Sequence, residues 1–129
     1  MKNTSTLYPA GNVTATISKE FSSNGDTSFK IEFQGNGINW NNIDLFRLFP
    51  NNFESGNYTL KLTAYKNINP IQIVLFNETN VSVVTLPSIN DVSNITLTGE
   101  ISNENYVSCR IITQNTSSCY FDEISLSIQ

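Results

Sequence analysis

Apolar and polar residues alternate with a period of two through most of this chain, and that alternation restricts its fold more than any other feature. Val13, Ala15 and Ile17 alternate with Asn12, Thr14, Thr16 and Ser18. Phe29, Ile31 and Phe33 alternate with Ser28, Lys30 and Glu32, after the turn signal Asn24-Gly25-Asp26. Tyr58, Leu60, Leu62 and Ala64 alternate with Thr59, Lys61, Thr63 and Tyr65, after Ser55-Gly56-Asn57. Ile71, Ile73 and Leu75 follow Asn69-Pro70, Ile95 and Leu97 sit among Asn94, Thr96 and Thr98, and Ile124, Leu126 and Ile128 alternate with Glu123, Ser125, Ser127 and Gln129. Each stretch describes a strand with one face buried and one face wet. Helical spacing is nearly absent.

Three further stretches are less regular. Val81 to Leu86 reads as a strand stopped by Pro87. Tyr106 to Thr113 is rich in β-formers, and Ile43 to Phe49 is too apolar for clean alternation, fitting either a strand or a short helical turn. The sum is about eight short strands at regular spacing with turn chemistry between them. The expected fold is therefore all-β: a two-sheet antiparallel sandwich, or jelly roll, with Phe29, Ile31, Tyr58, Leu60, Leu62, Ile124 and Leu126 in its core. At 129 residues the chain has the size of one domain, residues 1–129, with 1–10 as an extended N-terminal segment. A chain of this length buries roughly two thirds of its unfolded surface and needs no metal or dense disulfide framework to fold.

The wet faces are polar but hardly charged. Only 14% of residues are charged, while Asn alone makes up roughly one residue in seven, so this surface works by hydrogen bonding. The net charge of −4, with Lys and Arg scattered singly along the chain, argues against a nucleic-acid partner. No apolar run approaches the roughly 20 residues that span a bilayer, which argues against membrane insertion. The opening Met1-Lys2-Asn3-Thr4-Ser5-Thr6 has no apolar stretch behind its charge and does not read as a signal peptide.

The two cysteines, Cys109 and Cys119, flank the polar turn Gln114 to Ser118. If the strands on either side form a hairpin, the sulfurs meet near its mouth and a disulfide closing that loop contributes at most ~3 kcal/mol; two buried free thiols are the alternative. Without histidine, and with two thiolates, zinc has too few ligands. A hard cation such as calcium takes oxygen ligands, and Asp26 and Asp122 converge if the chain ends lie side by side; a turn-forming Asp and a solvated Asp account for the same residues. Catalytic machinery is missing: no histidine for a nucleophile–base pair, no phosphate-binding glycine loop, and no carboxylate pair marked by its surroundings. Asp44, Glu54, Glu78 and Glu104 sit in Asn-rich stretches and read as solvated. Asn-x-Ser/Thr triplets at Asn3, Asn12, Asn57, Asn77, Asn80, Asn94 and Asn115 are expected in number from composition alone.

The aromatic residues divide by face. Phe29, Phe33 and Tyr58 share faces with aliphatic core residues. Tyr65 lies opposite, beside Lys61, and Phe76 lies on the face of Gln72 and Val74. Trp40 stands in the loop Gly35-Asn36-Gly37-Ile38-Asn39-Trp40-Asn41-Asn42, which offers no obvious reason to bury a large side chain; Trp40 and Phe53 either fold over the ends of the core or stay open in their loops. A ring beside amides and charges is what sugar recognition needs, because the apolar face of a pyranose stacks on the ring while polar groups bond its hydroxyls. Trp40, Lys61, Tyr65, Gln72 and Phe76 make one patch if the strands carrying them are neighbours.

Three segments resemble a known family. Asn24-Gly25-Asp26-Thr27-Ser28-Phe29-Lys30-Ile31, Gly56-Asn57-Tyr58-Thr59-Leu60-Lys61-Leu62 and Tyr120-Phe121-Asp122-Glu123-Ile124-Ser125-Leu126 are similar, in this order, to strand motifs of the jelly-roll carbohydrate-binding modules appended to xylanases and β-glucanases, within the galactose-binding-like group. The resemblance implies a jelly roll that holds a glycan on its concave face or loop rim, and a structural calcium near the paired chain ends, carried over onto Asp122 and the Asp26 turn. The family's aromatic pair before its late strand has no counterpart in Ser93 to Gly99. The expected function is a non-catalytic glycan-binding module outside the cell, on a cell surface or on a virion. The alternative is a structural or adhesive β-sandwich that contacts other virion or cell-surface proteins.

Overall fold

A computed structural model describes residues 8–18, 27–48, 55–101 and 106–128, and every strand that alternation predicts is there. Among the described residues there are ten strands: β1 (Tyr8–Ala10), β2 (Val13–Ser18), β3 (Ser28–Phe33), β4 (Asn41–Leu48), β5 (Gly56–Asn67), β6 (Ile71–Phe76), β7 (Val81–Leu86), β8 (Ser93–Ile101), β9 (Val107–Thr113) and β10 (Ser117–Ile128). The count exceeds the expected eight or so: the stretch that begins at Ile43 is a strand as far as it is described, to Leu48, and the end of the N-terminal segment pairs with it as β1. Among the described residues no helix is long and apolar enough to cross a membrane.

The strands form two five-stranded antiparallel sheets, in the orders β1-β4-β9-β6-β7 and β2-β3-β10-β5-β8. Consecutive strands repeatedly change sheets, as in a jelly roll, so each sheet supplies one apolar face to a shared core. Ile43, Ile71, Ile73, Leu75, Val107 and Ile111 line the first sheet's inner face, and Phe29, Ile31, Phe33, Leu60, Leu62 and Phe121 the second's; all are at most 2% exposed. Ile124 and Leu126 lie at the margin, packed against this core but partly open, because β10 bulges between Asp122 and Ser125. Glu123 takes a left-handed φ of 53° in that bulge, a conformation rare for a residue with a side chain.

Among the described residues every buried side-chain polar group but Ser28 Oγ has a hydrogen-bond partner. Asn67, 1% exposed, ends β5 by donating from Nδ2 to the carbonyls of Leu86 (3.2 Å) and Pro87 (2.9 Å) and accepting from Ser117 Oγ at 3.0 Å. That side chain joins the starts and ends of β5, β7 and β10, which supplies the buried backbone there with partners.

The cysteines do not form the expected bridge. Cys109 on β9 and Cys119 on β10 are both buried free thiols. The hairpin that would have joined them does not exist: β9 pairs with β4 and β6, β10 with β3 and β5, and residues 114–116 carry the chain from one sheet to the other. Burial pushes the Cys109 thiol up to about 12, with a smaller contribution from the Asp44 carboxylate, and burial pushes Cys119 up further.

Candidate functional site

The outer face of the first sheet carries the side chains that alternate with its core residues: Asn42 and Asp44 on β4, Gln72, Val74 and Phe76 on β6, Val83 and Thr85 on β7, Arg110 and Ile112 on β9. At one end of this face is a cleft of about 160 Å³, lined by Trp40, Gln72, Thr85, Ile112, Gln114 and Asn115 among others. Trp40 is 51% exposed and its neighbour Ile38 74%, so a large ring stands open to water beside three amides.

The loop holding Trp40 is pinned rather than loose. Asn36 Oδ1 accepts from the backbone N–H of Ile38 (2.9 Å) and Asn39 (2.8 Å), a turn that asparagine forms readily. Gly37 N–H donates to the Gln114 carbonyl at 2.9 Å, Gln114 Nε2 to the Ile38 carbonyl at 2.7 Å, and Thr116 Oγ1 bonds both backbone groups of Gly35 at 3.1 Å. Gly35 is required by this approach, since a Cβ there would run into the backbone of Gln114 and Asn115.

Farther along the same face a second constellation surrounds Asp44. Its carboxylate is 3% exposed and accepts from Arg110 Nε at 2.6 Å, Arg110 Nη2 at 3.3 Å and Arg47 Nη2 at 3.0 Å. The Arg110 guanidinium lies 4.7 Å from the Phe76 ring centre and that of Arg47 4.5 Å from the Tyr106 ring centre. The two rings meet edge to face at 5.9 Å. The expectation of a solvated Asp44 is corrected: a β-bulge between Asp44 and Phe46 seats the carboxylate under both arginines.

Of the five residues expected to form one patch, Trp40, Gln72 and Phe76 share this face. Lys61 and Tyr65 do not, because β5 belongs to the other sheet, where it pairs with β10 and β8 and never with β6. Lys61 lines a polar depression there with Thr63, Asn94, Thr96, Glu123 and Ser125, and Tyr65 falls in the bulge between Ala64 and Lys66. That depression has no aromatic lining. Gln114, Tyr106 and the arginine pair were not singled out from sequence; the available signal was a charge inside an apolar strand, as in Phe46-Arg47-Leu48 and Cys109-Arg110-Ile111.

Asp26 and Phe53 lie outside the described residues. Asp122 is 4% exposed on β10. The β3–β10 ladder ends at Phe29 opposite Phe121, so the next residues outward are Ser28 and Asp122, on the same face. Ser28 Oγ is the one buried side-chain polar atom without a hydrogen-bond partner among the described residues. A carboxylate and an orphaned hydroxyl are oxygen donors of the kind calcium takes, although among the described residues no group of three or more acidic, Cys or His side chains gathers there or elsewhere.

No protein-family profile matches the chain, and no curated protein matches it in sequence. Solved structures do match in fold. A tailspike protein 4 enzymatically active domain of bacteriophage CBA120 aligns with a TM-score of 0.74 at 10% identity, over 99% of this chain and 20% of that one. A carbohydrate-binding module of the β-sandwich superfamily aligns at 0.70 and 15% identity, over 98% of this chain and 58% of that one. A family 11 carbohydrate-binding module from Clostridium thermocellum, solved with a β-1,3-1,4-mixed-linked tetrasaccharide, aligns at 0.67 and 10% identity, over 93% and 86%. This chain thus has the β-sandwich fold of carbohydrate-binding modules, and it spans about a fifth of the tailspike chain and little more than half of the second structure.

Proposed function

We propose that this domain binds a glycan on the outer face of its first sheet and carries out no chemistry on it. The observation that carries this reading is Trp40: an open indole on a pinned loop above a cleft lined by Gln72, Gln114 and Asn115. A pyranose ring stacks on the indole, and the amides, which both donate and accept, bond its hydroxyls. Because the loop is held before ligand arrives, little ordering cost falls on binding. Asp44 is committed to two guanidiniums, the chain has no histidine, and among the described residues of this face no general acid–base pair is present. The neighbouring structures of carbohydrate-binding modules support the same class of ligand, and the tailspike match supports a setting outside the cell, as part of a virion or surface assembly.

Stacking and hydroxyl bonds at an open site are worth ~0.5–1.5 kcal/mol each, so affinities in the roughly millimolar to micromolar range are expected. Affinity electrophoresis against a polysaccharide panel, followed by titration of tryptophan emission, tests this directly, since Trp40 is the only tryptophan. Trp40→Ala should weaken retardation about two- to tenfold, and Lys61→Ala, on the other sheet, should leave it unchanged. Absence of binding to any glycan would leave the structural or adhesive role as the better reading. We also propose a structural calcium at Asp122 and Ser28.

A further inference from the structure

The aromatic rings of the second constellation are not presented as stacking platforms. Phe76 and Tyr106 each have a guanidinium over one face, at 4.7 and 4.5 Å, and they pack against each other edge to face. They orient the arginines. Asp44 does the same from beneath, so two flat, cationic, multidonor groups are held in place with 30% and 31% of their side chains open to solvent.

The charge count is unusual for a merely structural pair. Arg110 alone, through its two contacts, satisfies and neutralises Asp44. Arg47 is surplus, and it leaves the cluster with two positive charges against one negative. The chain as a whole is at −4, yet these three are the only charged residues in the five strands of the first sheet, and they include both arginines of the protein. A guanidinium has five N–H donors; Asp44 engages one nitrogen of Arg47 and two of Arg110, and among the described residues no other acceptor meets Arg47 Nε, Arg47 Nη1 or Arg110 Nη1.

We propose that Arg47 and Arg110, set by Asp44, Phe76 and Tyr106, form a carboxylate-binding subsite, and that the glycan taken by this face is acidic, containing uronate units. The inference rests on the glycan-binding reading above and names its ligand class. A planar two-oxygen carboxylate matches the guanidinium fork, where a neutral hydroxyl uses one donor and none of the charge. Gln114 at the Trp40 cleft and Arg110 are four residues apart along β9 and its extension, ~13 Å at ~3.3 Å per residue. A short oligosaccharide lying along β9 therefore stacks one unit on Trp40 and places a carboxylate at the arginines.

The test uses polygalacturonate, alginate and hyaluronate, each beside its carboxyl-reduced form, which keeps the sugar backbone and loses the charge. Dextran sulfate serves as the sulfate control. Wild-type protein is expected to bind at least one uronate polymer ten or more times more tightly than its reduced form, with affinity falling as salt rises. Arg47→Gln, which leaves Asp44 paired with Arg110, should bring that ratio below about threefold, and Arg47→Lys should restore it only in part. Because removing Arg110 alone strands a buried carboxylate, its contribution is read from Asp44→Asn combined with Arg110→Gln. Equal binding of acidic and reduced polymers, or a preference that survives both variants, overturns the proposal while Trp40-dependent binding of the reduced forms keeps the glycan-binding reading. Dextran sulfate bound as tightly as any uronate, with the same dependence on Arg47, overturns the carboxylate assignment. Failure of every polymer, charged or reduced, removes both.

Discussion

Gly35→Ala puts a single methyl group where the Trp40 loop is tied to residues 114–116, and its effect can be worked out from the contacts. The added Cβ meets the carbonyl oxygens of Gln114 and Asn115, which are backbone and cannot rotate away. If the loop holds its place, overpacking costs ~1–3 kcal/mol. If it moves outward instead, it gives up the Gly35–Thr116 and Gly37–Gln114 hydrogen bonds; these are near the surface and water replaces them, so each is worth the lower part of ~0.5–1.5 kcal/mol. Either route predicts a loss of ~1–3 kcal/mol in urea unfolding. The second also displaces Trp40, removing a stacking contribution of ~0.5–1.5 kcal/mol and weakening glycan binding about two- to tenfold. Urea melts followed by far-ultraviolet circular dichroism give the stability change, and the emission of the single tryptophan reports its setting. A variant within ~0.5 kcal/mol of wild type, with unchanged emission and unchanged affinity, would refute the argument that this loop is pinned and that the pinning serves the site.

Leu62→Ala, at a side chain 2% exposed in the core, should cost ~2–5 kcal/mol in the same melts. Cys109 and Cys119 should resist alkylation in native protein and react fully in urea, and intact mass with and without reductant should be identical; a two-dalton (~2 Da) difference would show the bridge that this structure lacks. Both thiols titrate above their unfolded value of ~8.5, so the unfolded chain loses its thiol protons first as pH rises. Their contribution is thus intact below about pH 8.5 and falls by ~1.4 kcal/mol per pH unit for each thiol above it, a slope that Cys119→Ala should reduce. If calcium sits at Asp122 and Ser28, adding it after chelation raises Tm by several degrees and Asp122→Asn removes the response; equal Tm values with and without calcium would exclude a structural cation there.

Most of the fold was legible in the sequence because each strand carries its own instruction. Period-2 burial at Phe29-Ile31-Phe33, Tyr58-Leu60-Leu62 and Ile71-Ile73-Leu75 depends only on which side chains avoid water, and residues next to one another settle it. Trp40 was legible for a similar reason: a ring in a Gly- and Asn-rich loop has no local partner to bury it. The sequence could not say which strands are neighbours. β5 and β6 follow one another in the chain, yet they lie in opposite sheets, so Lys61 and Tyr65 face away from Gln72 and Phe76. Alternation is a local property, whereas sheet membership is decided by the packing of the whole sandwich. The same holds for Asp44, Arg47 and Arg110. Two of them are 66 residues apart, and only the β4–β9 pairing, with its bulge, turns three isolated charges into one cluster. Residue types and their faces were thus settled by the sequence; the company those residues keep was decided by the tertiary structure, because long-range pairing, and not spacing along the chain, brings them within bonding distance.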